Sequence, residues 1–370
     1  MKRIPFLVVL ALFGVAAAAQ DRADRQSLSE EGASTMILLG DPQGYVKYDL
    51  NQPIFELCTS WIADNVSHLN IKAVLCTGDL VEQNDNNALD RRMLNQTSRQ
   101  MWESVSRSFA RLDGVVPYVT SPGNHDYGFK RSEDIHTFYP DYFPAERQGK
   151  VLLDHLVSEY PNREGRASIE NSATEYELPG WDHKILVITS EFSPSDAVLQ
   201  WAEGVCRKYP DDYVIFMTHS YLKCAGTCGN VRYSKPESYI LCQDPANNYG
   251  EAIWQKLIRK VPNIRLVLCG HHGHSDFRRS GKDNYADNMG WRTDRNDSGK
   301  EVGQMMFNVQ TLGGGWEGNG GDGWLRILEF LPDGKTIHFR TYSPLFGISP
   351  LTRHLSSLKD PLSDFTFVID

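Results

Sequence analysis

Five short apolar runs, each closing on a side chain able to hold a metal ion, constrain this 370-residue chain more than any other feature. They are Ile37-Leu-Leu-Gly-Asp41, Val74-Leu-Cys-Thr-Gly-Asp79, Tyr118-Val-Thr-Ser-Pro-Gly-Asn124, Val214-Ile-Phe-Met-Thr-His219 and Leu266-Val-Leu-Cys-Gly-His271. Short apolar runs bounded by turn residues read as buried strands. Between them lie segments with helical spacing: Pro53 to Asn70 (apolar at Ile54, Leu57, Trp61, Ile62 and Val66), Thr97 to Leu112, a segment to Lys208 capped by Ser193 or Ser195, and Asn248 to Lys260. Alternating strands and helices predict an α/β domain. Ligands in such folds bind beyond the carboxyl ends of the strands. Strands side by side in one sheet would therefore bring the five ends into one crevice. The glycines at 40, 78, 123 and 270 let the backbone turn out of each strand and approach the site closely.

The residue types point to one chemistry. Two carboxylates, two amides (Gln43 and Asn124) and several imidazoles form a mixed oxygen and nitrogen donor set, suited to divalent Mn, Fe or Zn. A carboxylate can bridge two cations, and Asp79 is the candidate. Two cations roughly 3.5–4 Å apart can clamp the attacking and leaving oxygens of a phosphoryl group and lower the pKa of a bound water.

In their order and spacing, Asp41-Pro-Gln43, Gly78-Asp79, Gly123-Asn124-His125-Asp126, His219 and Gly270-His271 resemble the signature of the calcineurin-like metallophosphoesterases, most closely the exported bacterial members. The resemblance spans roughly residues 36–345. It implies a four-layer α-β-β-α sandwich with two central mixed sheets, two divalent metal ions, and hydrolysis of a small phosphorylated substrate by a metal-bridging hydroxide. Carried over by position, Asp41, Gln43 and Asp79 hold the first metal, and Asp79, Asn124, His219 and His271 the second. His125 serves the leaving oxygen as hydrogen-bond or proton donor, and Asp126 orients its ring. The family has His where this chain has Gln43, whose neutral oxygen still coordinates. Its last motif reads Gly-His-any-His, whereas here it runs Gly270-His271-His272-Gly273-His274. Either His274 or His272 completes the first metal, or neither does. A catalytically weak or mononuclear binding protein on the same fold is the alternative.

The rest of the chain sets bounds. A net charge of -9 without a dense Lys/Arg cluster argues against nucleic-acid binding. Lys2 and Arg3 precede an apolar stretch from Pro5 to Ala19 that is short for a membrane span, so residues 1–20 read as a secretory signal peptide and the product as periplasmic or extracellular. Residues 21–35 read as a flexible lead-in and 36–370 as a single domain. Export permits disulfides, and pairing among Cys206, Cys224, Cys228 and Cys242 is expected, while Cys76 and Cys269 read as buried thiols. Residues 127–165 read as a long irregular loop, and Asp294 to Asp297 as a solvated one. Late strands are expected at Met305 to Thr311, Trp324 to Phe330 and Thr336 to Tyr342. Asn84 is a candidate phosphate neighbour, and Trp316 or Asp322 in the Gly-dense segment from Gly313 to Trp324 are candidates to line the crevice. That segment lacks the Gly-Lys-Ser/Thr of a nucleotide-binding loop. Without a Gly-x-Ser-x-Gly elbow, Ser220 beside His219 makes a poor serine nucleophile.

Overall fold

A computed structural model describes residues 26–89, 94–224, 231–275 and 277–370. The expected signal peptide and Cys228 lie outside those residues. The chain begins with the parallel strands β1 (Ser34–Leu39), β2 (Ile71–Cys76) and β3 (Tyr118–Thr120). Next come β4 (Leu156–Tyr160), β5 (Asn171–Tyr176), β6 (Ile185–Thr189) and β7 (Tyr213–Met217). A small hairpin of β8 (Leu222–Cys224) and β9 (Val231–Tyr233) precedes β10 (Ile264–Cys269), β11 (Met289–Arg295) and β12 (Glu301–Phe307). The last strands are β13 (Leu325–Phe330), β14 (Thr336–Tyr342), β15 (Ser357–Leu358) and β16 (Asp364–Val368).

These strands form two seven-stranded mixed sheets. The first runs β15-β14-β13-β1-β2-β3 with β16 also on β14, and the second runs β11-β12-β10-β7-β6-β5-β4. Alternate residues of a strand face opposite sides of its sheet, and the second sheet shows what each side meets. Val187, Ile215, Met217, Leu266 and Leu268 join the large core shared with the first sheet. Their neighbours Leu186, Ile188, Val214, Phe216 and Val267 pack with Leu199, Ala202 and Val205 of the helix Asp196–Lys208. The first sheet is covered on its other side by Phe55 and Ile62 of helix Gln52–Asn65 and by Met101, Trp102 and Val105 of helix Ser98–Phe109. Helix, sheet, sheet, helix is the expected four-layer sandwich. Burial on both faces explains why the central strands are apolar without alternation.

Capping explains where two helices start. Thr97 and Gln100 form a reciprocal capping box, and the Ser195 hydroxyl accepts a hydrogen bond from Val198 N at 3.3 Å. Elsewhere tertiary pairing overrides local pattern. Ser34 and Thr35, expected in a flexible lead-in, are fully buried because they pair with Phe330 and Glu329 of β13. The loop expected over 127–165 contains β4, which pairs with β5. Asp294 belongs to β11 and is bound by Arg292, Tyr233 and Gln304. The segment 248–260 begins as an α-helix at Gly250–Ile253 and continues as a π-helical turn at Trp254–Ile258. Cys206 and Cys242 do not pair: both are buried free thiols, one packed with the second sheet and the other with Phe192 and Tyr249. Cys76 and Cys269 are buried thiols as expected. Among the described residues no helix is long and apolar enough to cross a membrane.

Candidate metal centre

The five ligand-bearing ends converge, but from two sheets rather than one. Asp41, Asp79 and Asn124 follow β1, β2 and β3 of the first sheet, while His219 and His271 follow β7 and β10 of the second. The sheets stack so that their carboxyl ends meet. The His219 imidazole crosses the gap: its Nδ1 donates to the Thr77 carbonyl at 2.8 Å. That turns Nε2 toward the cluster, 3.3 Å from Asn124 Oδ1, 3.3 Å from Asp79 Oδ1 and 3.1 Å from His271 Nδ1. Ligand atoms of Asp79, His219 and His271 all lie within 4.8 Å of one another.

Asp41 sits beside this cluster, fully buried, with Oδ1 accepting from Thr77 Oγ1 at 2.9 Å and Oδ2 from His271 N at 3.0 Å. Gln43 is tied to the same corner by its backbone N–H, which donates to the Asp79 carbonyl at 3.0 Å. Its side-chain Oε1 is buried without a hydrogen-bond partner, as is Asn124 Nδ2. Each such orphan costs about 1–3 kcal/mol. A buried, unpartnered carbonyl oxygen on a residue whose backbone is bonded to Asp79 suits a cation.

The backbone is distorted where two of the candidate ligands sit. Asp79 and His271 adopt φ of +50° and +66°, in the left-handed region that costs a non-glycine residue about 1–3 kcal/mol. The adjoining glycines have no room for a side chain. A Cβ on Gly123 would lie 2.1 Å from Asp79 Oδ1, and one on Gly270 2.2 Å from Asp41 Oδ1.

Electrostatics point the same way. Burial pushes the Asp41 carboxyl up to about 7, against the pull of His219. Burial also opposes ionisation of Asp79, but the His219 and His125 imidazoles outweigh it and hold that carboxyl below its usual range. Burial disfavours a charged His219, yet Asp79 and Asp41 prevail and raise it to about 9. The buried carboxylates thus draw positive charge into the pocket.

Other expected residues fall in different places. His125 is half-buried; its N–H donates to Asp79 Oδ1 at 2.9 Å and its Nδ1 lies 2.6 Å from the Glu82 carbonyl. The expectation that Asp126 orients this ring is corrected. Asp126 accepts from the backbone N–H groups of Leu80, Val81 and Gly123 at 2.7–3.1 Å, so it pins the Asp79 turn, and Glu82 steers the imidazole. His274 is exposed, with its ring 3.8 Å from Asp287, and is not gathered with the cluster. His272 turns toward Glu237, 3.4 Å away. Asn84 spends its amide on Gly128, His136 and Phe138, bracing the segment after His125. Asp322 bonds Asn319 within its own loop, whereas Trp316 is exposed. Ser220 Oγ is buried with no partner and so has no base beside it.

Several residues escaped the sequence reading. Glu237 Oε1 lies 2.7 Å from His271 Nε2, so a carboxylate backs the imidazole on the side away from the cluster. This partner fixes a ligating histidine's orientation. Asn308 Nδ2 donates to the His271 carbonyl at 2.8 Å, and Gln310 Nε2 to Asp41 Oδ2 at 3.3 Å. Both follow β12, a sixth apolar run with a polar end, so the same pattern could have found them. Glu237 lies in a Lys-Pro-Glu-Ser loop that carries no such signal.

The family model described as calcineurin-like phosphoesterase matches residues 35–275. The uncharacterized protein YvnB of Bacillus subtilis (strain 168) is 29% identical over 313 residues, covering 84% of this chain but only 20% of YvnB, so the chain spans about a fifth of that relative. Among solved structures, a dimetal phosphatase from Danio rerio aligns with a TM-score of 0.48 at 12% identity, covering 92% of this chain and 100% of its own. A structure of PhoD aligns with a TM-score of 0.43 at 12% identity, covering 93% and 71%. With the family model matching well over half its length, the chain belongs to the calcineurin-like phosphoesterase family, whose chemistry is the metal-dependent hydrolysis of phosphoesters.

Proposed function

We propose that this chain hydrolyses small phosphoesters with two divalent cations, one held by Asp41, Gln43 and Asp79 and the other by Asp79, Asn124, His219 and His271. The observation that carries the reading is the buried corner where these donors meet, with Gln43 Oε1 unpartnered and two ligand residues held in the left-handed region. When bound, the cations supply a nucleophilic hydroxide near neutral pH and neutralise charge on the phosphoryl oxygens. The protein supplies the remainder. Thr77 and Glu237 orient the two imidazoles through the ring nitrogens that face away from the cluster. Asp126 holds the Asp79 turn. His125, anchored through Nδ1 on the Glu82 carbonyl, has Nε2 left to carry a proton to the departing oxygen.

Elemental analysis and a phosphoester panel on the same metal-reconstituted sample test this. The expected result is about two metals per chain with turnover of at least one substrate. Full activity in metal-stripped protein would end the proposal. One observation favours a second reading. With His274 exposed, the side of the site around Asp41 has fewer donors than the side around His219. One metal per chain without turnover would identify a mononuclear binding protein.

A further inference from the structure

A third strand of the second sheet ends beside the two imidazoles. The sheet runs β10-β7-β6, and the run Ile185-Leu-Val-Ile-Thr-Ser-Glu-Phe192 begins in β6 and closes on a ring instead of a donor. Phe192 is fully buried. Its centroid lies 5.8 Å from that of His219, with the rings at 71°, and 5.9 Å from that of His271, with the rings at 44°. Behind it stand Tyr239 and Tyr249, at 6.3 and 6.4 Å. The ring is therefore held between two tyrosines and two candidate metal ligands. Thr77 and Glu237 each bind one ring nitrogen of those ligands. A single hydrogen bond fixes the direction of a ring nitrogen but leaves the ring free to turn about that axis. A second ring packed alongside stops the turn.

Arg163 holds the backbone that carries Phe192. Its guanidinium donates to the Phe192 carbonyl at 3.0 Å, to the Ser193 carbonyl at 2.6 Å and to Asn247 Oδ1 at 3.0 Å, and lies 3.2 Å from Glu191 Oε1. It thus grips three consecutive residues. One of them, Ser193, has φ of +52°, a conformation that persists where its surroundings impose it.

We infer that Phe192 is the wall that positions both imidazoles for one cation, and that Arg163 is a positioning residue acting through it. The inference rests on the proposed reading in which His219 and His271 share a metal. The wall also keeps water from the back of the site, where a drier setting strengthens the attraction between a cation and its ligands.

The test titrates cobalt(II) into the metal-free full chain, because the visible absorption of bound cobalt reports how its ligands surround it. Wild type, Phe192→Leu, Arg163→Lys and the double variant are compared. Leucine keeps an apolar side chain without the flat ring. Lysine keeps a positive charge beside Glu191 but lacks the fork that spans both carbonyls. Each single variant should weaken cobalt affinity about tenfold and alter the absorption, with circular dichroism unchanged. Since the arginine acts through the ring, the double variant should be about as weak as Phe192→Leu alone, whereas independent effects would multiply to about a hundredfold. That larger loss overturns the role of Arg163, and wild-type affinity in Phe192→Leu overturns the wall. If Arg163→Lys fails to fold, Phe192→Leu decides alone. Turnover of phosphoesters with wild-type affinity in Phe192→Leu refutes the wall and spares the enzymatic reading. Cobalt binding that depends on Phe192, without turnover of any phosphoester, refutes the enzymatic reading and keeps the wall.

Discussion

Single side chains here have separable duties, so substitutions should dissociate them. His125 hydrogen-bonds the ligand cluster through its backbone N–H, which a substitution keeps, so His125→Asn should leave metal content unchanged and lower kcat about 10²- to 10⁴-fold. Elemental analysis beside kinetics reads both. Glu237 acts through His271, and Glu237→Gln should weaken metal affinity about 10- to 100-fold, measured by competition with a chelator. Glu170 serves stability instead. Burial raises its carboxyl from 4.5 to about 7, although Tyr127, Asn162 and Ser168 all donate to it. Between those values the folded chain binds the proton more tightly than the unfolded chain. Its contribution is therefore complete below pH 4.5 and is lost as pH rises through 7, by up to roughly 3 kcal/mol. Glu170→Gln should flatten that slope in denaturant melts across this window, and an unaltered slope would refute the assignment.

At the scale of elements, the site depends on the turns that end the strands. Gly123→Ala would drive a methyl group into the Asp79 carboxylate, so it should lose metal and turnover even where the fold survives in circular dichroism. The capping box at Thr97 is remote from the chemistry. Thr97→Ala should cost about 1 kcal/mol in thermal stability and leave kcat/KM intact. The same contrast explains what the sequence could reveal. Strand ends were legible because buried central strands are apolar on both faces and stop abruptly at Gly and a polar residue, as at Cys269-Gly270-His271. Asp41, Asp79, Asn124, His219 and His271 could be named from that pattern. Their division between two sheets could not be read from the residues one by one, since strand order is a tertiary property. Nor could β4 or β16, whose half-exposed residues owe their conformation to the strands beside them. The role of Asp126 was misread because a carboxylate following His looks the same in sequence whether it faces the ring or the backbone.

On the scale of the whole molecule, the corner between the sheets holds two buried carboxylates whose charge a cation would offset. Saturating divalent metal should therefore stabilise the fold. At a free concentration about 100 times the Kd the gain is about 2.7 kcal/mol, visible as a higher Tm. A Tm indifferent to metal would show that the corner does not bind it. Glu237 was the least legible part. It lies on a connection with no regular pattern, and only the stacking of the second sheet sets it behind His271.

The placement of β1 bears on how such a chain can be made. This strand carries Asp41, yet its antiparallel neighbour β13 is synthesised almost three hundred residues later. A ribosome that has delivered residues 35–275, the span matched by the family model, has delivered all five strand-end ligands but not the strand that closes the sheet around β1. Until then β1 has an open edge of apolar residues, a surface that recruits other chains. The candidate ligands therefore all precede the strand that closes the sheet beside Asp41, and β1 stays unpaired on that side until β13 arrives.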